Sequence, residues 1–465
     1  MMKSALGTLF RPRSVALVGA SANPEKLSNV ALRNLLKGDF RVYPINPKER
    51  SILGLKCFPS ISDVPGEIDL VIISLPAAAS VEPTRECVRK GVGVVAVTAS
   101  GFRESGSEGE RLEAELLSSI RGSKTRLLGP NTMGVFVPSV RLDTFFIPEE
   151  KSRRPKEGSI AMVSQSGAVS VSFLEKAAAS GIGVSACVGL GNKSDINEND
   201  VLRYLAEDPA TKCIAMYLES FSDGRELVGL AGKISRSKPI VMLKSGRTRA
   251  GSFAARSHTG ALSSSSDAVV SGILKQAGIA RVYDEEELID VAKALAYVDH
   301  IDGNRICVIA SAGGFGVIGA DYVESCEHGA CLRMAELSKN TLAGLRKVAP
   351  GFSSVTNPVD LTAGVTDEMY DQALGLLQKD RGVDGIMMSL ELQPPHVTDR
   401  LMEVAGNRSK SSGAPIVVSA FGGERTQEML AEFEKRSVPA YPTLWRAIRA
   451  LKALSDRGTY LKRSK

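Results

Sequence analysis

The stretch VALVGASANPEKLSNVALRNLL, residues 15–36, decides the fold that we expect for this chain. An apolar run ends at Gly19, and an amphipathic run of helix length follows it. A strand, a tight turn and a helix in this order are typical of one parallel α/β unit. Backbone amides at the start of such a helix attract anions, so the stretch also predicts a site for an anion or a nucleotide phosphate.

The same unit recurs along the chain in three series of short apolar runs. The predicted strands are 14–18, 41–45, 69–75, 93–97 and 126–128, then 159–163, 183–188, 214–218 and 239–243, and finally 305–310, 385–390 and 415–420. A charged, proline-containing segment at 137–157 and a polar segment at 300–304 separate the series. We therefore predict an α/β fold with three doubly wound domains, at 1–145, 146–300 and 301–465.

The composition is that of an ordinary globular protein, since 43% of the 465 residues are hydrophobic and 24% are charged. The net charge of +6 is spread along the chain without a basic run, so we expect no nucleic-acid partner. No apolar run approaches the ~18 residues of a membrane helix, and the apolar start before Arg11 is too short for a signal peptide. Seven cysteines lie scattered in apolar runs, which predicts reduced, buried thiols in a cytoplasmic protein without a membrane partner.

The loops that follow the first series of strands carry hydrogen-bonding groups in the motifs INPK, SLPA, VTASGF and GPNTMG. A dinucleotide fingerprint would need two further glycines after Gly19, but Ser21 and Pro24 stand in their places. This departure disfavours a nicotinamide-dependent oxidoreductase. Good turn residues would explain any one of these loops without a ligand, whereas several such loops in one domain favour a binding edge.

Taken together, these loops resemble the CoA-binding domain of the succinyl-CoA synthetase α-subunit superfamily. The resemblance implies a Rossmann-like CoA-binding domain at 1–145, in which Asn131 lies nearer the reacting thioester. The positions that it implies for contact with coenzyme A are Gly19, Ser21, Lys26, Asn46, Ser74, Pro76 and Ser100.

A histidine in the second series, His258, is flanked by small and polar residues that cannot form a core. We expect an exposed, mobile loop there, in which the imidazole could act as a base, a metal ligand or a nucleophile. The loop offers no further metal ligands, so we predict no metal. A carboxylate should hold the second ring nitrogen, and Glu219 at a predicted strand end is the candidate; an edge salt bridge is its alternative reading.

Two turns in the same domain suit a phosphate and therefore favour phosphoryl transfer to His258. One is SQSG, which opens a helix, and the other lies in GLGNKSDIN. The candidate phosphate-binding residues are Ser164, Ser166, Gly167, Gly191 and Asn192.

The boxes SHTGAL and SQSG resemble the succinyl-CoA synthetase α-subunit, whose histidine is phosphorylated in its catalytic cycle. The resemblance implies that His258 is the phosphorylated histidine and Glu219 its partner, in a flavodoxin-like ligase domain.

In the third series, SAGGFG at 311–316 and NPVDLTAG at 357–364 resemble the further ligase domain of NDP-forming acyl-CoA synthetases, typified by the ADP-forming acetate–CoA ligases of archaea. The glycine loop would then be a structural and interface feature and not an ATP site.

This resemblance implies the α-subunit of an ADP-forming acyl-CoA synthetase, an acid–thiol ligase that acts on acetate or related acids. It would convert acyl-CoA, phosphate and ADP into acid, CoA and ATP through an acyl phosphate and a phosphohistidine. A β-subunit with an ATP-grasp domain would hold ADP or ATP and Mg²⁺ in an α2β2 assembly. The alternative is a non-catalytic CoA-sensing regulator related to the synthetase-like half of certain protein acetyltransferases.

Overall fold

The computed structural model describes residues 5–259, 266–325 and 331–464, with residues 5 and 256–259 described by their backbone alone. They form two compact units. The first unit consists of Met1–Ala179 and Gly183–Tyr283, and the second of Ser180–Ile182 and Asp284–Lys465. Parallel sheets flanked by helices run through both units, so the predicted α/β class is confirmed.

The first sheet is parallel and opens the first unit. Its part of the chain contains the strands β1 (Ser14–Val18), β2 (Arg41–Ile45), β3 (Ser51–Ile52), β4 (Leu55–Lys56), β5 (Leu70–Ile73), β6 (Val94–Val97) and β7 (Arg126–Leu128), and the helices α1 (Ala5–Phe10), α2 (Leu27–Leu35), α3 (Ala77–Lys90) and α4 (Ser107–Ile120). The sheet order is β2-β1-β5-β6-β7, and β3 and β4 form a separate hairpin. Every residue of β1, β5 and β6 is buried, as expected for strands covered on both faces.

The second sheet also belongs to the first unit. Its elements are β8 (Val135–Val137), β9 (Leu142–Asp143), β10 (Glu157–Ser164), β11 (Val184–Gly189), β12 (Cys213–Leu218), β13 (Ile240–Lys244) and β14 (Ile279–Val282), with α5 (Gly167–Ala179), α6 (Glu198–Glu207), α7 (Gly224–Ile234), α8 (Arg249–Thr259) and α9 (Asp267–Gln276). The order is β14-β13-β12-β10-β11-β8-β9, with β8 antiparallel to β11. The two sheets share one hydrophobic core, in which Phe10 stacks on Tyr204 with ring centroids 4.0 Å apart.

The third sheet forms the second unit. Its elements are β15 (Arg305–Ala310), β16 (Arg333–Met334), β17 (Val359–Asp360), β18 (Gly385–Leu390), β19 (Ile416–Ala420) and β20 (Ala440–Tyr441), with α10 (Glu285–Tyr297), α11 (Gly313–Glu324), α12 (Lys339–Val348), α13 (Asp367–Leu377), α14 (Arg400–Ser409), α15 (Glu424–Lys435) and α16 (Leu444–Arg463). The order is β16-β15-β18-β19-β20, and β17 pairs with β15. Helix α10 packs on α16, where Arg446 pairs with Asp290 at 2.6 Å. The limits 1–145, 146–300 and 301–465 stay a proposal.

Two expectations from the sequence are wrong. The segment around His258 is not a loop as far as Thr259, because residues 249–259 form α8. Five cysteines are buried and reduced, as predicted, but Cys331 is disulfide-bonded. The five are Cys57, Cys87, Cys187, Cys213 and Cys307. Across the described ranges, no helix has both the length and the apolar character that crossing a membrane requires.

Candidate active site at two sheet edges

The loops after β1, β2 and β5 meet at the carboxyl edge of the first sheet. Gly19 donates its N–H to Ile45 O at 3.0 Å, and Ser74 donates its N–H to Val18 O at 3.0 Å. Gly19 has a φ of +82°, and a Cβ at this position would lie 2.5 Å from Ser74 O. A glycine is therefore required for the two loops to approach this closely.

Asn46 fastens the loop after β2 to the loop after β1. Its Nδ2 donates to Ala20 O at 2.8 Å, and its Oδ1 accepts from the Lys48 N–H at 2.9 Å. Ser21 Oγ accepts from the Asn23 N–H at 3.2 Å. Ser21 and Asn46 thus hold the conformation of these loops.

Two helices begin at this edge without a side-chain cap. Lys26 is the N-cap residue of α2 and Pro76 that of α3, and neither makes a capping hydrogen bond through its side chain. Lys26 and Pro76 are exposed. Two uncapped helix starts beside a cationic side chain suit the phosphates of an anionic nucleotide. The edge therefore fits the phosphate-rich part of coenzyme A.

Ser100 and Asn131 lie at the other end of the same edge. Ser100 is exposed, and the next two residues, Gly101 and Phe102, donate their N–H groups to Glu104 Oε1 at 2.7 and 3.1 Å. Asn131 adopts a left-handed φ of 59° and donates its N–H to Ala99 O at 2.9 Å. The structure thus places Asn131 beside the VTASGF loop, and its position near the thioester stays a prediction.

The SQSG motif makes a closed turn at the end of β10. Ser164 is fully buried, and its hydroxyl donates to Ser166 O at 2.7 Å and accepts from the Ser166 N–H at 3.2 Å. Gly167 begins α5, and a Cβ there would lie 2.5 Å from Met133 Cγ. The Ser164 hydroxyl therefore shapes the turn, whereas Ser166 and Gly167 are half-buried at the start of the helix.

The turn after β11 joins the second sheet to the first. Gly191 has a φ of 59°, and a Cβ there would lie 2.3 Å from Pro130 O. Asn192 is fully buried, and its Nδ2 donates to Glu104 Oε2 at 2.7 Å and to Glu113 Oε2 at 2.9 Å. Burial alone would raise the pKa of Glu104, but hydrogen bonds, including the one from Asn192, lower it below its usual value. Both amide protons of Asn192 are therefore used within the protein.

Glu219 follows β12 and is 4% exposed. Its N–H and that of Ser220 both donate to Gln165 Oε1, at 2.9 and 3.1 Å. Its Oε1 accepts from the Tyr217 hydroxyl at 3.3 Å, and Tyr217 in turn accepts from Ser245 Oγ at 3.1 Å. The predicted carboxylate is thus buried at a strand end and held through both its main chain and its side chain.

Two buried lysines, Lys193 and Lys244, lie behind Glu219, and neither is among the site residues predicted from the sequence. Lys244 Nζ donates to Glu219 O, and Lys193 Nζ donates to Ser220 O, both at 2.8 Å. Burial lowers the pKa of Lys193 and lowers that of Lys244 to about 8. Lys244 ends the apolar strand IVMLK, where a lysine is ordinarily exposed, so the sequence pattern does not predict its burial.

Helix α8 lies against the ends of β12 and β13. Ser252 Oγ donates to Gly246 O at 2.8 Å, and a Cβ on Gly246 would lie 3.6 Å from the buried Ala255 Cβ and 3.8 Å from Glu219 O. The helix also packs on the short 3-10 helix Arg103–Ser105 of the first sheet's edge. The side chain of His258, and the residues 260–265 that follow α8, lie outside the described residues.

His258 lies near the carboxyl end of α8. Residue 258 is the last but one residue of α8, which the structure describes there by its backbone alone. The part of the chain that the structure describes contains no group of three or more His, Cys, Asp or Glu residues arranged for a metal ion.

Three known protein families match consecutive parts of the chain. A CoA binding domain matches residues 13–138, a succinyl-CoA ligase like flavodoxin domain matches 157–295, and a ligase-CoA domain matches 306–453. The chain is 36% identical over 461 residues to the ADP-forming acetate–CoA ligase I subunit alpha of Pyrococcus furiosus, with 97% of each chain covered. It is 34% identical to the ADP-forming acetate–CoA ligase I of Archaeoglobus fulgidus, which is longer, so that 98% of this chain covers 63% of that relative.

A solved structure has the same architecture over nearly the whole chain. It is the acetyl-coenzyme A synthetase 1 of Candidatus Korarchaeum cryptofilum in complex with phosphate and ADP, with a TM-score of 0.89 and 33% sequence identity. The match covers 99% of this chain and 98% of that chain. The chain therefore belongs to the family of ADP-forming acyl-CoA synthetase α-subunits, within the succinyl-CoA synthetase superfamily.

Proposed function

We propose that this chain is the α-subunit of an ADP-forming acyl-CoA synthetase, an acid–thiol ligase that converts acetyl-CoA or a related acyl-CoA, phosphate and ADP into acid, CoA and ATP. The observation that carries the proposal is Glu219, a buried carboxylate fixed at the end of β12 beside the helix that contains His258. The same unit carries a CoA-binding edge.

The first step takes place on the thioester. An oxygen of phosphate attacks the carbonyl carbon, the C–S bond breaks, and CoA leaves as the thiolate, which takes up a proton. Gly19, Ser21, Lys26, Asn46, Ser74, Pro76 and Ser100 form the edge that we assign to coenzyme A. Asn131, at the end of this edge nearer the second sheet, is assigned to the thioester. The main task of these groups is to hold the reactants in place.

Phosphate is assigned to the start of α5 and to the turn after β11. The half-buried Ser166 and Gly167 offer the first backbone groups of α5, where the helix dipole favours negative charge. Ser164, Gly191 and Asn192 support these turns from within, because the Ser164 hydroxyl and the Asn192 amide are already bonded to protein groups. Phosphoryl transfer needs mainly positioning and stabilisation of charge, which backbone amides provide.

The second step transfers the phosphoryl group to His258. One ring nitrogen attacks the phosphorus of the acyl phosphate, the P–O bond to the acyl group breaks, and the carboxylic acid leaves as its anion. Glu219 is assigned to the other ring nitrogen, whose N–H it would accept, fixing the tautomer and stabilising the positive charge that develops on the ring. The phosphohistidine then passes its phosphoryl group to ADP.

The last step requires a partner chain. Relatives of the same length are named as α-subunits, and a longer relative contains sequence that this chain does not match. We assign ADP or ATP and Mg²⁺ to a separate β-subunit with an ATP-grasp domain, in a cytoplasmic α2β2 assembly. A CoA-sensing regulator is not favoured, because it would have no need of a rigidly held Glu219.

The test is formation of ATP from acetyl-CoA, phosphate and ADP by this chain with its candidate partner, in the wild type and in Glu219→Gln. We expect Glu219→Gln to lower kcat by about 100-fold, which is within the range for the loss of a side chain that assists proton transfer. The KM for acetyl-CoA should change by less than about twofold. Full activity of the variant would contradict the role of Glu219. CoA binding without any turnover in the wild-type complex would favour the regulator.

A further inference from the structure

Two buried ammonium groups hold consecutive carbonyls of the chain that carries Glu219. Lys244 Nζ donates to Glu219 O at 2.8 Å, and Lys193 Nζ donates to Ser220 O at 2.8 Å. On the other side, Gln165 Oε1 accepts both N–H groups of the same two residues. All four main-chain polar groups of this dipeptide are therefore bonded to three side chains that lie far from it in sequence.

Burying the charged ammonium group of a lysine is unfavourable, and Lys193 and Lys244 differ in the groups that offset this cost. Lys193 forms an ion pair with the fully buried Glu198 at 3.0 Å. Lys244 is 5% exposed, and its hydrogen bonds go to Glu219 O and Ser245 O; among the described residues it forms no ion pair. The ring of Phe221 also lies near Lys244, with its centroid 5.5 Å from Nζ. Carbonyl groups and one aromatic ring offset the burial of an ammonium group only in part, so its presence needs another explanation.

A third lysine of the same sheet shows what a purely structural arrangement looks like. Lys238, which precedes β13, donates to Leu205 O at 2.6 Å and to Asp208 O at 2.8 Å. It therefore makes the same two kinds of bond as Lys244, which ends β13 at the opposite edge of the sheet. Lys238 lies at the edge away from Glu219, and this makes it a matched control.

We propose that Lys244 and Lys193 are positioning residues for Glu219, holding its main chain so that the carboxylate meets His258 in one fixed place. This proposal rests on the proposed function. The lysines act through Glu219 and touch no reactant. They also place two positive charges behind the carboxylate, whose attraction opposes the loss of their protons.

The positive charge of Lys244 is sensitive to pH near 8, because its pKa is lowered to about that value. Burial lowers the pKa of Lys244 to about 8, with Arg281 of β14 and Lys193 acting in the same direction, while Asp267 of α9 and Glu219 oppose the shift. The amine is therefore charged below about pH 8 and neutral above it. We expect phosphorylation of His258 to slow as the pH rises through this value.

The experiment measures phosphorylation of the complete complex from acetyl-CoA and phosphate in a single turnover, for Lys244→Met and for Lys238→Met. We expect Lys244→Met to react about tenfold more slowly, with the KM for acetyl-CoA within about twofold of the wild type. Lys238→Met should react at the wild-type rate. Equal rates in the two variants would overturn the proposal.

Lys244→Arg keeps the charge at every pH and guards against a Met variant that does not fold. We expect it to recover part of the rate and to lose the fall near pH 8. A pH profile identical to that of the wild type would contradict the role of Lys244. If the wild-type complex itself forms no phosphohistidine, the proposed function fails, and the positioning role fails with it; a phosphorylated wild type with an unaffected Lys244→Met removes the positioning role alone.

Discussion

The carboxyl edges of the first and second sheets are built from the same strand–turn–helix unit but differ in where they keep their charge. On the first edge, Lys26 is exposed and Asn46 is half-buried. On the second edge, Glu219, Lys193 and Lys244 are each at least nine-tenths buried. Turns of similar sequence can therefore have very different electrostatic surroundings.

The difference corresponds to two tasks. An open edge of backbone groups and uncapped helices can bind a large, charged ligand and release it again. A buried edge with fixed charges has its electrostatics arranged before the reactants arrive, which is what a transition state requires. We infer that the first edge binds and the second edge performs the chemistry.

Replacing an asparagine by aspartate on each edge, as Asn192→Asp and Asn46→Asp, should give the largest difference in stability between the two edges. Asn192→Asp puts a carboxylate against Glu104 and Glu113 in a buried position, so we expect it to lower the free energy of unfolding by ~3 kcal/mol. Asn46→Asp loses one hydrogen bond to Ala20 O at a half-buried position and should cost ~1 kcal/mol. Calorimetric unfolding of the two variants would measure the difference.

Equal costs for these two variants would contradict the contrast between the edges. A lower KM for phosphate in Asn192→Asp would also contradict it, because the added carboxylate cannot favour an anion. A raised KM for phosphate with unchanged stability would restore the direct phosphate contact that the sequence predicted for Asn192.

A pair of glycine substitutions should give a smaller effect, confined to binding. Gly19 and Gly54 have φ values of +82° and +80°, but a Cβ on Gly19 would meet Ser74 O, whereas a Cβ on Gly54 would meet nothing within 4 Å. Both alanine variants carry a backbone strain of ~1 kcal/mol, yet only Gly19→Ala must also displace a loop of the CoA edge. We expect the KM for CoA to rise about tenfold in Gly19→Ala and to stay within about twofold in Gly54→Ala.

Steady-state kinetics with CoA as the varied reactant checks this pair of variants. Equal values of KM for both would mean that the approach of the loops after β1 and β5 does not shape the site. A fall in kcat without a change in KM would move Gly19 from binding to chemistry.

The strands of the fold could be predicted closely because buried parallel strands are continuous apolar runs that end at turn residues. The strands at 14–18, 41–45, 305–310 and 385–390 have the predicted limits. Helix α8 was missed because Gly and Ser are unfavourable inside helices and are typical of loops, and this stretch contains both. The helix forms where Ala255 packs beside Gly246, and this contact between neighbouring elements carries no local signal.

The candidate site was predictable where a motif carries its chemistry locally. Glu219 was found because a carboxylate that follows an apolar strand lies at the carboxyl edge. Lys193 and Lys244 were missed because a charged residue at a strand end is usually solvated, and their partner carbonyls are 27 and 25 residues away in sequence. Asn192 was assigned to phosphate because its partner Glu104, which lies in the 3-10 helix Arg103–Ser105, could not be inferred from the turn alone.

The proposed reaction depends on a phosphoryl group carried by His258 beside Glu219. The most direct measurement is the intact mass of the chain after the complex is incubated with acetyl-CoA and phosphate without ADP, for the wild type and His258→Ala. We expect one acid-labile phosphoryl group on the wild type, removed by ADP and absent from the variant. An unmodified wild-type chain that still binds CoA, or a phosphoryl group that persists in His258→Ala, would rule out a phosphohistidine at His258.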